Sequence, residues 1–348
     1  MDSYLSALTE HMRDVSAREG RVSVDTVYIG GGTPSVFGGK RLSQVLSCVR
    51  SCFDLQADTE ITVEVNPESA DEALFLALHA AGVNRISMGV QSADDGELKA
   101  IGRLHDFSRA QEAVRLCRKL CTDNISLDLM YGLPGQSMER WMRSVDAICA
   151  LAPKHISCYA LKLEEGTPLY RKNPSCPDDD TQADMYLAMV ERLSQKGYAQ
   201  YEISYFAQEG YRSRHNQKYW HLTDYLGFGC GAHSFFRGRR YYQTDSIPKY
   251  LSGGWQTPLS EDDETGSRED EYLMLSLRTA EGVSEGDYCA RFGKSFAPVA
   301  DVLRPYLENQ YVQRFGDRWH FTAKGFLVSN TILVDVLDAI ENGEGGRG

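Results

Sequence analysis

The sequence predicts a parallel α/β fold followed by a smaller helical domain, on three observations. Five short β-rich runs precede residue 165: Val24–Ile29, Ile61–Val65, Arg85–Val90, Ile125–Met130 and His155–Ala160. Helical patterns over Leu42–Cys52, Ala70–Ala81, Ser108–Leu120 and Met138–Leu151 separate them. Polar residues suited to ligand contact stand near the carboxyl ends of four of these runs, where α/β sheets place their sites. Strands alternating with helices imply right-handed βαβ units and a parallel sheet. Periodicity alone leaves an open sheet and a barrel as alternatives.

Past residue 165 the rhythm breaks. Asp178–Lys196 reads as a helix whose acidic start favours capping and the dipole. A tyrosine-rich stretch follows from Tyr198, then Arg214-His-Asn-Gln-Lys-Tyr-Trp220 and the Gly-rich loop Gly227–Phe235. Acidic Ser260–Asp270 reads as a linker. Beyond it, helical patterns and a hairpin of Tyr311–Phe315 with Trp319–Thr322 predict a winged-helix-like unit. The expected division is a barrel over 1–172, an extension over 173–258, a C-terminal helical domain over 259–340 and a disordered tail over 341–348.

Composition excludes several classes. The 348 residues are 42% hydrophobic and 25% charged, ordinary values for a globular chain with a sizeable core. A net charge of −12 argues against non-specific nucleic-acid binding, which needs clustered Lys and Arg. No apolar run approaches the roughly 20 residues of a membrane span, and the first residues lack a signal-peptide pattern. The nine cysteines are scattered through apolar segments and read as reduced thiols of a cytoplasmic protein. Cys48 with Cys52, and Cys117 with Cys121, are spaced as core-facing helical pairs. Cys230 and His233 make at most half a metal site and read as part of a structural loop.

Residues with chemical potential are ordered along the chain. Gly30, Gly31, Gly32 and Thr33 follow the first run, offering backbone groups without steric hindrance and one hydroxyl. Glu64 and Asn66 close the second run, Gln91 the third, and Asp128 lies near the end of the fourth. Arg103 offers a two-pronged donor for a carboxylate, Glu64 and Asp128 accept from hydroxyls, and Gln91 does both.

This series, with its flanking residues Tyr-Ile-Gly-Gly-Gly-Thr-Pro, Glu-Val-Asn-Pro, Gly-Val-Gln-Ser and Ile-Gly-Arg-Leu, resembles the radical S-adenosylmethionine (SAM) proteins related to oxygen-independent coproporphyrinogen III oxidases. It is most similar to their HemW-type branch, the haem chaperones, over nearly the whole chain. The resemblance implies a partial (β/α)6 barrel, and it matches Gly31, Gly32, Thr33, Glu64, Gln91, Arg103 and Asp128 to SAM-contacting positions. It also implies a Cys-x3-Cys-x2-Cys loop for a [4Fe-4S] cluster, expected before residue 1 on a first strand that this sequence lacks. A shortened chain is the simpler account of that lack, and a non-catalytic relative the other.

The second constellation is His215-Asn216-x-x-Tyr219-Trp220. A neutral imidazole is a possible axial iron ligand, and Tyr219 and Trp220 are suited to stacking on a porphyrin. The pattern matches the HNxxYW signature of the HemW branch, which links it to haem. The resemblance therefore implies haem binding and delivery to acceptor haemoproteins, with SAM and, in a complete protein, a [4Fe-4S] cluster. The alternatives are a coproporphyrinogen III oxidase, which needs the cluster, and a non-catalytic scaffold.

Overall fold

In the computed structural model, which describes residues 1–260 and 268–345, the first half alternates strands and helices as expected. Helix α1 (Asp2–Glu19) leads into β1 (Ser23–Ile29), α2 (Gly39–Cys52), β2 (Asp54–Val65), α3 (Glu72–Ala80) and β3 (Arg85–Gln91). Then come α4 (Asp95–Ala100), α5 (Phe107–Leu120), β4 (Ile125–Tyr131), α6 (Met138–Ala150) and β5 (His155–Ala160). The helices start where side chains cap them. Asp71, Asp106 and Ser137 each accept the backbone N–H three residues on, opening α3, α5 and α6. On α5 the buried residues Ala110, Ala113, Val114 and Cys117 recur at helical spacing and face the sheet.

Five parallel strands pair in chain order, and two short ones extend the sheet. After α7 (Pro168–Arg171) and α8 (Asp179–Gln195), β6 (Ala199–Gln200) and β7 (Tyr205–Ala207) add antiparallel to each other, with β7 against β5. The order is β1-β2-β3-β4-β5-β7-β6, a curled half-barrel of seven strands. Its two faces differ sharply. Val63, Ile86, Met88, Leu127, Leu129 and Ile156 are at most 1% exposed and pack under the helices. The alternating positions, Thr62 and Glu64, Arg85 and Ser87, Ser126 and Asp128, His155 and Ser157, line the concave face. A parallel sheet covered on both sides ordinarily reads as continuous hydrophobic strands, so this alternation marks a polar lumen.

Strand β1 lies at the sheet's edge, and α9 (Arg214–Trp220) stands beside it. The helix is held from both rims of the half-barrel. The Glu60 carboxylate of β2 accepts the N–H groups of Arg214 and His215, each at 3.1 Å. Lys218 pairs with Asp25 at 2.7 Å and Arg214 with Asp58 at 3.1 Å. From the other rim, Tyr201 Oη accepts the Ser213 N–H at 3.2 Å, and Asn216 Nδ2 donates to Tyr205 Oη at 3.2 Å. A seven-residue helix thus closes the gap between first and last strands.

The Gly-rich loop expected over Gly227–Phe235 runs to Ala232, and from His233 the chain forms a hairpin of β8 (His233–Phe236) and β9 (Arg239–Tyr242). It continues through α10 (Ile247–Leu251) to β10 (Leu259–Ser260), which pairs with β9. The expected acidic linker lies mostly outside the described residues. The C-terminal unit contains α11 (Glu269–Ser276), β11 (Val283–Ser284), α12 (Glu285–Phe292) and α13 (Ala297–Glu308). The expected hairpin is β12 (Val312–Phe315) with β13 (Arg318–Phe321), turning at Gly316 with φ +61°, and β11 adds a third strand. Helices α14 (Ala323–Leu327) and α15 (Ser329–Gly345) end the described chain, so helix extends into the segment expected to be disordered.

Candidate functional site

The ordered polar series meets at the carboxyl rim of the half-barrel, and its glycines differ in purpose. Gly31 and Gly32 have φ of +83° and +133°, and a Cβ on either would stand in open space. Their backbone is therefore open to a ligand. Gly30 has no such φ, but a Cβ there would lie 2.5 Å from Tyr28 Cε1 and 2.6 Å from Glu64 Oε1. The protein's own side chains take up that space. Tyr28 donates its hydroxyl to Glu64 Oε1 at 2.7 Å, while Gly31 N–H donates to Glu64 Oε2 at 3.2 Å. Both carboxylate oxygens are thereby oriented.

Around Gly89 the second group converges. A Cβ at this position would stand 2.8 Å from Gln91 Nε2, 3.5 Å from Asn66 Oδ1 and 3.7 Å from Arg103 Nη2. Gln91 turns back through a left-handed backbone, φ +72°, where the β3–β4 register shifts. Asn66 ties this group to the first, donating to Thr33 Oγ1 at 3.2 Å. The Arg103 guanidinium has no hydrogen-bond or ion-pair partner among the described residues.

Asp128 sits opposite Gly89 in the ladder, with Oδ1 buried and unpartnered. Burial pushes its carboxyl up to about 7, opposed by a hydrogen bond from Ser157 and reinforced by the nearby Glu64 charge. Deeper in the lumen Arg85 is 2% exposed, and its Nε and Nη1 have no hydrogen-bond partner. The rim thus offers a free guanidinium, a carboxyl with one buried oxygen unpartnered, an oriented carboxylate and an open glycine wall. Such a set is suited to a ligand carrying a carboxylate and hydroxyl groups.

The second constellation is on α9, immediately beside the first. His215 Nδ1 hydrogen-bonds Thr26 Oγ1 at 2.9 Å, and Nε2 meets the Tyr219 hydroxyl at 2.9 Å. Its ring stacks on Tyr28, with centroids 5.1 Å apart and planes at 21°. Burial lowers its pKa to about 4, with the Lys218 charge acting in the same direction, so the imidazole is neutral near pH 7. With Nδ1–H donating to Thr26, Nε2 keeps its lone pair, covered by a tyrosine ring that is 42% exposed. Trp220 lies elsewhere. It lines a small pocket with Tyr201, Arg212, Thr279 and Glu281 at the junction with the C-terminal unit, whereas Tyr219 packs edge-on against Tyr225.

Other candidates are structural. Cys230 Sγ contacts Thr244 O at 3.1 Å and His233 stacks on Tyr242. Cys48 and Cys52 are buried with their sulfurs 3.8 Å apart. All nine cysteines are free thiols. Among the described residues no group of three His, Cys, Asp or Glu is placed to hold a metal ion.

Thr26, Glu60 and Arg85 carry no signal in their local sequence context, and Tyr28 stands at the head of the glycine motif without a role of its own. The signal that finds them is the period-two recurrence of polar residues inside strands otherwise made of Val, Ile and Leu.

Comparison with known proteins gives this geometry a family. Residues 7–148 match the radical SAM superfamily and residues 269–328 the HemN C-terminal domain. The chain is 36% identical over 341 residues to "Heme chaperone HemW" of Escherichia coli, covering 95% of this chain and 89% of that protein. The chain belongs to the HemW family of radical SAM proteins. The Bacillus subtilis HemW is 31% identical over 343 residues, covering 96% of this chain and 90% of its own length. The fold likewise follows that of coproporphyrinogen III oxidase HemN from Escherichia coli, with a TM-score of 0.83 at 21% identity over 96% of this chain and 82% of that one.

Proposed function

We propose that this chain binds haem and hands it to acceptor haemoproteins, with SAM held at the neighbouring rim. The observation that supports it is the placement of the His215–Tyr219 pair of α9 beside the rim of the half-barrel, next to the strand-end residues expected to contact SAM. A neutral imidazole with one nitrogen anchored and the other behind a movable phenol suits axial ligation of haem iron. Haem supplies the iron, and the protein supplies the ligand and its orientation. Thr26 fixes the ring's direction, Tyr28 supports its face, and Tyr219 turns aside to free Nε2. The cytoplasm is the compartment that suits nine free thiols.

The rim fits SAM. Arg103 would take the carboxylate, Glu64 and Asp128 the ribose hydroxyls, Gln91 a polar edge, and Gly31, Gly32 and Thr33 would border the ligand. The unpartnered Asp128 Oδ1 and the unpaired Arg103 are the groups such a ligand would satisfy. The [4Fe-4S] cluster that radical SAM membership implies has no ligand set among the described residues. The coproporphyrinogen oxidase alternative depends on that cluster.

Haem titration tests this function directly. The wild-type chain is expected to bind one haem with a Soret band characteristic of imidazole ligation. His215→Ala should shift that band and weaken binding at least tenfold, with His221→Ala and His233→Ala having far smaller effects. Trp220→Ala should leave the band position unchanged, since Trp220 does not share a face with His215. Wild-type affinity and spectrum in His215→Ala would remove the axial role.

A further inference from the structure

We infer that Tyr28 is a positioning residue that couples the SAM rim to the haem motif, so that occupancy of one site tightens the other, a coupling that presupposes the two binding roles proposed above. Tyr28 makes direct contact with a key group of each constellation. Its hydroxyl donates to Glu64 Oε1 at 2.7 Å, and its ring is the platform under His215, at 5.1 Å and 21°. Gly30 makes the arrangement possible, because a Cβ there would collide with both the Tyr28 ring and the Glu64 carboxylate.

The coupling follows from ordering. Glu64 has two fixed donors, Tyr28 Oη on Oε1 and the Gly31 N–H on Oε2, and each oxygen keeps a further acceptor site. A ligand hydroxyl on Glu64 therefore meets a carboxylate whose rotamer Tyr28 already defines. On the other face, an imidazole anchored to iron can no longer tilt freely, and the ring stacked on it loses freedom as well. The second ligand to bind then finds Tyr28 and Glu64 already ordered, which yields positive cooperativity without a large displacement. By linkage the effect is reciprocal: the factor by which haem tightens SAM equals the factor by which SAM tightens haem.

Calorimetric titration of SAM into the 348-residue chain, with and without one equivalent of haem, reads the coupling. In the wild type, haem is expected to tighten SAM binding at least threefold, and SAM to tighten haem by a matching factor. Tyr28→Phe keeps the ring under His215 but loses the hydroxyl. It should bind haem with an unaltered Soret band, bind SAM more weakly, and show a coupling factor near one. A residue that merely supported the fold would change both affinities yet leave their ratio intact. Two ligands that bind the wild type with no mutual effect, or a coupling factor retained in Tyr28→Phe, would overturn the coupling alone. A wild-type chain that binds no haem, or no SAM, would overturn the coupling together with the function on which it rests.

Discussion

Replacing Gly30 with alanine adds one methyl group at the most crowded point of the rim. The new carbon would stand 2.5 Å from Tyr28 Cε1, 2.6 Å from Glu64 Oε1 and 2.7 Å from Glu64 Cδ, where about 3.5–4.0 Å is comfortable between carbons. All three atoms belong to side chains, and the Gly30 backbone is not left-handed, so the relief is rotation of Glu64 and of the Tyr28 ring rather than movement of the strand. That rotation gives up the Tyr28 hydroxyl and Gly31 N–H bonds to the carboxylate. Hydrogen bonds to a charged group contribute about 1.5–3 kcal/mol each, and a partly exposed carboxylate belongs at the low end. The expected outcome is a folded protein destabilised by about 1–3 kcal/mol whose SAM affinity falls at least tenfold, since each tenfold is about 1.4 kcal/mol. Gly31→Ala is the contrasting variant: its Cβ meets nothing, but its φ of +83° costs about 1–2 kcal/mol in backbone strain. Calorimetry with SAM and thermal denaturation read the two effects separately. Unchanged SAM affinity in Gly30→Ala would show that the Glu64 carboxylate does not receive the ligand.

Glu202 is 1% exposed, and burial pushes its carboxyl up from 4.5 to about 8, so near pH 7 the folded protein holds a proton that the unfolded chain releases. Because the folded pKa is the higher one, this penalty grows as pH rises from about 4.5 to 8, and Glu202→Gln should stabilise the protein at pH 7 by on the order of 3 kcal/mol; a stability difference that is the same at pH 4 and pH 7 would sink the idea. Arg103→Ala should weaken SAM binding by about 1.5–3 kcal/mol, with Arg103→Lys restoring only part because an ammonium lacks the planar fork; unaltered affinity in the alanine variant would assign Arg103 a structural role.

The parallel strands are legible in the sequence because runs such as Ile61–Val65 and Ile125–Met130 carry β-branched or aliphatic residues between clear breaks. Most of the rim is legible too, since Gly31 to Thr33, Glu64, Gln91 and Asp128 sit at or near strand ends and need only the rule that α/β sheets bind ligands there, whereas Arg103 comes from the loop between α4 and α5. Strand β2 begins at Asp54, seven residues before the apolar run, because its first part pairs with Ser23 and Val24 across a register shift. Strands β6 and β7 span two and three residues, too short for any alternation to register. Closure of the barrel by α9 is invisible for a different reason. It depends on bonds such as Thr26 to His215, 189 residues apart, and Glu60 to the start of α9, 154 and 155 residues away. No local pattern encodes such pairings.

That closure changes how the haem motif itself is understood. Had His215 and Asn216 served only a ligand, they would be expected to point outward, with water or open space before them. Instead His215 reaches back to β1 and Asn216 to β7, so adjacent residues grip opposite rims of the half-barrel. The charged clamps Lys218–Asp25 and Arg214–Asp58 flank that grip on the β1–β2 side. The motif therefore builds the wall in which it stands. Burial in that wall is also what keeps the imidazole neutral, because a charged ring would have to lose its hydration beside Lys218. A neutral ring thus serves both this structural role and the proposed role of His215 as an iron ligand. Thr26 and Tyr28 on the edge strand hold that ring in place, which makes β1 a shared support: one of its residues orients the candidate iron ligand, and another orients both that ligand and the carboxylate of the SAM rim.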